Sequence, residues 1–172
     1  GFIVARYGMP NSPPFTFLVW RYFFSIFCFA IWIRYARVQW PQGRQQWLHL
    51  AVTGILMHGG YLGGVWAAVK VGMGSGLSAL IVGLQPVLTA VWLSYRGGLV
   101  TRRQWAGLLL GFLGLALVLA RKLEVGVEVS PWSLTMATMA LLSITTGTLY
   151  QKRFVTPCDV RSANTVQLMA AW

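Results

Sequence analysis

Five stretches of this chain, residues 15–35, 47–69, 76–95, 105–120 and 132–150, stay apolar over lengths near those a helix needs to cross a bilayer, and clusters of Lys and Arg separate them. No water reaches the hydrocarbon layer, so each spanning segment must satisfy its own backbone N–H and C=O groups. That leaves helices or a closed barrel, and these runs are too long for barrel strands. The fold class is therefore all-α, a polytopic transmembrane helix bundle. A composition of 56% hydrophobic and 10% charged residues excludes an ordinary soluble domain. The net charge of +11 would suggest nucleic acid in a soluble protein. Here the cations flank apolar runs, as topology determinants do, so the partner is the lipid bilayer and not nucleic acid.

The stretch from His58 to Tyr95 organises the rest. Two segments meet at Gly72, Gly74 and Gly76, too glycine-rich for a straight helix, with Lys70 at the membrane surface. In the first segment Gly59/Gly63 and Gly60/Gly64 form overlapping small-xxx-small pairs, which let another helix approach closely. In the second, Pro86 removes a backbone N–H and predicts a bend, with polar backbone that protein or water must satisfy. His58 and Tyr61 share nearly one helical face, with Trp66 close to it. His58 lies about eleven residues into its segment, roughly 16 Å deep, and Gln85 reaches a similar level. A side chain such as these is expensive against lipid and inexpensive against water, a solute or a partner helix. His58, Tyr61, Trp66, Gln85, Pro86 and Arg21 thus form a candidate substrate pathway. The plainer reading makes the same groups helix contacts and lets Arg21 snorkel to the nearby interface. Gly107, Gly111 and Gly114 mark a further close-packing side, and Pro131 suits the first turn of the segment it opens. Trp40 and Trp47 flank a basic loop at the level expected for headgroups.

Enzyme chemistry is not provided for. No Asp or Glu lies inside an apolar run, so no carboxylate pair is available for acid–base work in the membrane. Gly74-Ser75-Gly76 has Met73 where an intramembrane serine protease pattern needs glycine. Leu77 likewise stands where a dinucleotide loop needs its third glycine. There is no P-loop, no metal-spaced His/Cys/Glu cluster, and Cys28 and Cys158 lie in settings too different for a structural disulfide. The expectation is a non-enzyme without cofactor or metal.

Three stretches, HGGYLGGVWAAVKVGMGSGLSALIVGLQPVLTA, RRQWAGLLLGFLGLALVL and SITTGTLYQKRF, carry a resemblance to the EamA family of the drug/metabolite transporter superfamily. The resemblance implies ten helices in two five-helix repeats of inverted topology around a central substrate cavity, with transport by alternating access. On that pattern residues 1–122 hold the end of helix one and helices two to five of the first repeat. Residues 130–172 then begin the second, with helix six and the start of helix seven. Gly1 opens the chain without methionine and Trp172 ends it inside an apolar segment, the pattern of a fragment. The implied activity is a secondary carrier that exports a small metabolite, amino acid or drug-like solute, in the inner (plasma) membrane of a bacterium. The alternative is a non-transporting scaffold or interaction protein assembled through its GxxxG faces, surfaces that also suit a homodimer.

The loops after residues 35, 95 and 150 share one side if the helices alternate, and they hold nine of the fourteen basic residues. Those loops are expected to be cytoplasmic. In a chain lacking Cys28 and Cys158, single cysteines at positions 44 and 102 should resist an impermeant thiol reagent added to intact cells, and one at position 124 should react. The reverse pattern would invert the topology.

Overall fold

A computed structural model describes residues 13–124 and 130–172, and the secondary structure among them is helical. The expected helix end at residues 1–7, the proline loop up to Ser12, and Glu128 lie outside the described residues. The helices are α1 (Pro14–Ala36), α2 (Arg44–Gly54), a π-helical turn (Ile55–Gly60), α3 (Tyr61–Lys70), α4 (Ser75–Val82), α5 (Gln85–Tyr95), α6 (Arg102–Glu124), α7 (Pro131–Phe154) and α8 (Val160–Ala171). Thr16–Ala36, Arg44–Lys70 and Ser75–Tyr95 are long and apolar enough to cross a membrane. The boundaries fall within a few residues of the apolar runs, and Pro131 opens α7 as its position suggested.

Two spans are not straight α-helices. The run predicted over residues 47–69 widens at its centre into the π-helical turn, where the Tyr61 N–H reaches back to the Leu56 carbonyl. The run over residues 76–95 is broken at Gly83 and Leu84. Pro86 then sits in the first turn of α5, where its missing N–H costs least. The connection between α3 and α4 turns at Gly72, whose φ of 101° is one that side-chain-bearing residues rarely adopt. Met73 fastens that turn, being 1% exposed in a cluster with Ala68, Leu77 and Ala137.

The centre of the bundle is α7, which packs against α2, the π turn, α3, α4 and α5. It is 24 residues long, about 36 Å at 1.5 Å per residue, longer than a hydrocarbon core of about 30 Å. Its Thr and Ser content would be costly there if the hydroxyls stood free. Instead Thr135, Thr138, Thr145, Thr146 and Thr148 each donate to the carbonyl four residues earlier, at 2.7 to 2.9 Å. The short side chains then let neighbours come close. An added Cβ at Gly60 would strike the Ser143 side chain, and one at Gly64 would meet Ala140 and the Met136 carbonyl at 3.0 Å. Gly147, on α7 itself, faces Met57 in the same way. Tyr22 and Leu18 of α1 close the opposite side of α3 through Val65 and Trp66. The remaining face of α1, with Trp20, Phe23, Phe24 and Phe27, is exposed, as a lipid-facing surface must be.

The expected glycine faces do not all act alike. Of the two overlapping pairs, Gly60/Gly64 clasps α7, and Gly59 makes no such approach among the described residues. Nothing lies within 4 Å of a Cβ added at Gly59. Gly63 is only half-buried and stands about 100° around α3 from Gly64, so it cannot share the face that Gly64 presents to Ala140. Around Gly107, Gly111 and Gly114 an added Cβ again meets nothing within 4 Å. These three do share a side of α6, and that side looks onto Gly83, Leu84 and Pro86 across a groove of about 470 Å³. A straight α6 cannot follow both segments of the broken span, so close packing gives way to the groove.

The tightest approach falls at a glycine outside the expected pairs. A Cβ at Gly54 would overlap the backbone of Gln167 on α8. Gly54→Ala should therefore destabilise the protein in detergent by about 1–3 kcal/mol, read as a lower thermal midpoint. Gly59→Ala should leave that midpoint unchanged or slightly raised, and equal losses in the two variants would refute this packing.

Candidate functional site

The site grows from the irregularity in the α2–α3 span. A π turn has more residues per turn than an α-helix and leaves its carbonyls less regularly paired. The glycine pair at 59 and 60 and the absence of β-branched residues from Met57 to Gly60 give the chain the freedom to widen there. The His58 carbonyl accepts a 2.8 Å hydrogen bond from the Tyr22 hydroxyl of α1, so backbone released by the wide turn is satisfied by a neighbouring helix. The Tyr22 ring also stands edge-on to the His58 imidazole, with centroids 6.1 Å apart.

On the other side of His58 stands α8. Gly54, immediately before the π turn and one turn before His58, lets the α8 backbone come into contact, and this brings the amide side chains of Gln167 and Asn164 beside the imidazole. Both amides line a cleft of about 500 Å³ between α7 and α8, whose walls also include Thr148, Gln151 and Lys152. Thr148 connects the cleft to the second irregular span, because Gln85 donates from Nε2 to Thr148 Oγ1 at 3.0 Å. Gln85 opens α5 beside Pro86, next to the break at Gly83 and Leu84.

Tyr61 packs on the cluster that holds Tyr22, the residue in contact with His58, and Arg21 is the neighbour of Tyr22 in the chain. Arg21 itself is exposed. Gln85 reaches the same cleft only through Thr148, and Pro86 faces the separate groove beside α6. Trp66 is placed differently from the rest. It is 2% exposed and stacked on Phe17 at 5.1 Å, which makes it packing between α1 and α3. His58, inside the π turn, also meets α1, through Tyr22, so the two residues keep to the side facing that helix.

Asn164, Gln167 and Thr148 escaped sequence reasoning as site residues, although one signal was present. Asn164 and Gln167 are three residues apart and so share nearly one face of the last apolar stretch, two polar side chains that lipid would penalise. Tyr22 gave no signal, being one aromatic residue among many on α1. Chemically, the arrangement offers an imidazole, two carboxamides, hydroxyls and a guanidinium nearby, which together can hydrogen-bond a polar solute. Among the described residues no group of three His, Cys, Asp or Glu side chains gathers to hold a metal ion.

No curated protein and no solved structure matches this chain. Residues 1–120 match the model of the EamA-like transporter family. The match covers more than half of the sequence and includes the π turn, the broken span and the glycines that bring α7 close. On the strength of that match and of an all-helical bundle with apolar spans, the chain belongs to the EamA-like transporter family, integral membrane carriers of small solutes.

Proposed function

We propose that this protein is a secondary carrier that moves a small metabolite, amino acid or drug-like solute by alternating access, and that the solute passes along the cleft between α7 and α8. Residues 1–122 form most of the first repeat and residues 130–172 begin the second. The observation that carries the reading is that two irregular membrane spans both adjoin residues of one cleft, Gln85 through Thr148 and His58 through the neighbouring Asn164 and Gln167. Discontinuous helices that meet near the bilayer midplane are how secondary transporters expose polar groups to a solute without exposing them to lipid. His58, Tyr61, Gln85 and Arg21 line or border this pathway, together with Asn164, Gln167 and Thr148. Pro86 keeps α4 and α5 separate segments, and Trp66 braces α1 against α3 behind the site.

Export from the cytoplasm across a bacterial inner membrane, with the basic loops on the cytoplasmic side, fits the charge pattern and the family. The scaffold reading depends on free GxxxG faces. Gly60 and Gly64 are in contact with α7 within the chain, which favours the carrier.

His58→Gln and Gln85→Leu in the folded full-length protein test the pathway. Each should weaken the apparent affinity for a transported solute by roughly tenfold, or change solute preference, with thermal stability within error of the parent. Lost stability with unchanged solute affinity would make these groups structural hydrogen bonds only.

A further inference from the structure

Another hollow, of about 810 Å³, lies between α5 and α7 and shares no lining residue with the polar cleft. Its walls are apolar and bulky, with Leu88, Val91 and Trp92 on one side and Leu142, Leu149 and Phe154 on the other. Thr145 and Thr146 also stand there, but their hydroxyls are spent on the Leu141 and Leu142 carbonyls. Val91, Trp92 and Leu142 are each about half exposed, so the hollow is a groove open at the side.

One end of the groove is charged. Leu77 of α4 clusters with Ala137 and Gln85 of α5 bonds Thr148, so the broken span and α7 run through the bundle in the same direction. Arg96, just past α5, and Arg153, in the last turn of α7, therefore emerge at the same end, and both line the groove. Each guanidinium lies over a ring of the wall, Arg96 5.4 Å from the Trp92 centroid and Arg153 5.5 Å from that of Phe154. A guanidinium held by its face keeps its N–H edge free for an oxyanion. Behind Arg153 the wall is braced by α2, because His49 stacks on Phe154 at 5.4 Å and bonds the Tyr150 hydroxyl at 2.8 Å.

The two charges want an anion, and the 172 residues contain three carboxylates. Asp159 is paired with Arg161 at 3.2 Å. Glu124 and Glu128 come before α7 in the chain, and Arg153 stands at the far end of that 24-residue helix. The shape of the groove selects what else can bind. From Leu142 to Arg153 α7 rises about 16 Å at 1.5 Å per residue, close to one leaflet of a core about 30 Å thick. Tyr95, 85% exposed beside Arg96, is an amphipathic ring suited to headgroup level. Helices that associate in lipid do so over small residues, as at Gly60 and Gly64, and these bulky walls offer another helix no such approach. An acyl chain needs only an apolar channel open to the bilayer.

We propose that the α5–α7 groove binds an anionic phospholipid from the leaflet on the side of the basic loops, with its phosphate between Arg96 and Arg153 and an acyl chain along Val91, Leu142 and Leu149. The phosphate gains charge-assisted hydrogen bonds from both guanidiniums. A zwitterionic lipid brings its own cation to the same place and gains less. Bound there, the anionic lipid bridges the ends of α5 and α7. The site does not depend on the solute pathway proposed above.

The test offers full-length protein in detergent an equimolar mixture of phosphatidylglycerol and phosphatidylcholine of the same chain length, and native mass spectrometry counts what is retained. The parent protein should favour phosphatidylglycerol by about tenfold. Arg96→Gln combined with Arg153→Gln should reduce that ratio to about twofold or less. Arg44→Gln combined with Arg102→Gln, basic positions outside the groove, should leave it near tenfold. All four arginines are exposed. Thermal midpoints identify the folded variants, and Arg153→Gln alone, with a ratio of about threefold, carries the test if the double variant does not fold. Glycerol phosphate in large excess should not displace the lipid. Equal retention of both lipids by the parent would overturn the site and leave the groove to another part of the protein or a second copy. A preference that survives in the groove variant would place anionic lipid elsewhere, and displacement by glycerol phosphate would make this a site for free anions; either result refutes the proposal.

Discussion

In a bilayer a backbone carbonyl that loses its helical partner has no water to turn to, and the rest of this structure follows from how two such losses are repaired. The π turn at Ile55–Gly60 and the break before Pro86 both interrupt spans otherwise apolar enough to cross the membrane. Each interruption is tolerable only where protein or an aqueous space meets it. At the π turn the Tyr22 hydroxyl takes the His58 carbonyl, and α8 is drawn in over Gly54. At the break the backbone tightens locally, the Leu84 N–H turning to the Ile81 carbonyl, and the Gln85 side chain beside it bonds the Thr148 side chain of α7. The cleft between α7 and α8 lies beside both sites, with α8 against Gly54 and Thr148 of α7 against Gln85.

The central position of α7 has a related cause. Association in lipid gains nothing from apolar burial, so it depends on close packing and on polar groups with no unmet needs. Threonines that bond their own helix meet the second condition, and small residues on both partners meet the first. Gly60 on Ser143, Gly64 on Ala140 and Gly147 on Met57 let the π turn and α3 lie along α7 with little space between them. By contrast α6, whose glycines 107, 111 and 114 meet no described neighbour, makes slight contact with α4 and α5 among the described residues.

Much of this was legible in the sequence. Apolar runs of bilayer length gave the helices, Pro86 pointed to the interrupted span, and the depth of His58 and Gln85 drew attention to the polar level of the bundle. The π turn was not legible, because its cause is distributed between glycines in one segment and a hydroxyl supplied by another helix. Regular helical spacing put Trp66 near the face of His58, and both do turn toward α1, His58 to Tyr22 and Trp66 to Phe17. Glycine spacing likewise identified small faces and not their partners. Gly59/Gly63 and Gly60/Gly64 have identical spacing, and only the position of α7 shows which pair that helix meets. Gly54, whose partner is Gln167 more than a hundred residues away, belonged to no pair and went unremarked. Gln46 read as one polar residue in a basic loop for the same reason, its carboxamide being bonded to Thr156, distant in the chain.

The central claim is that the cleft carries a solute across the membrane, and counterflow in vesicles containing the full-length protein tests it most directly. Vesicles preloaded with one unlabelled member of a panel of amino acids, organic acids and cationic dyes are diluted into the same compound carrying a label. A carrier working by alternating access predicts saturable uptake of at least one compound, accelerated by the preload and absent from protein-free vesicles. Uptake indistinguishable from protein-free vesicles across the panel, with the protein folded by thermal melting, would contradict it.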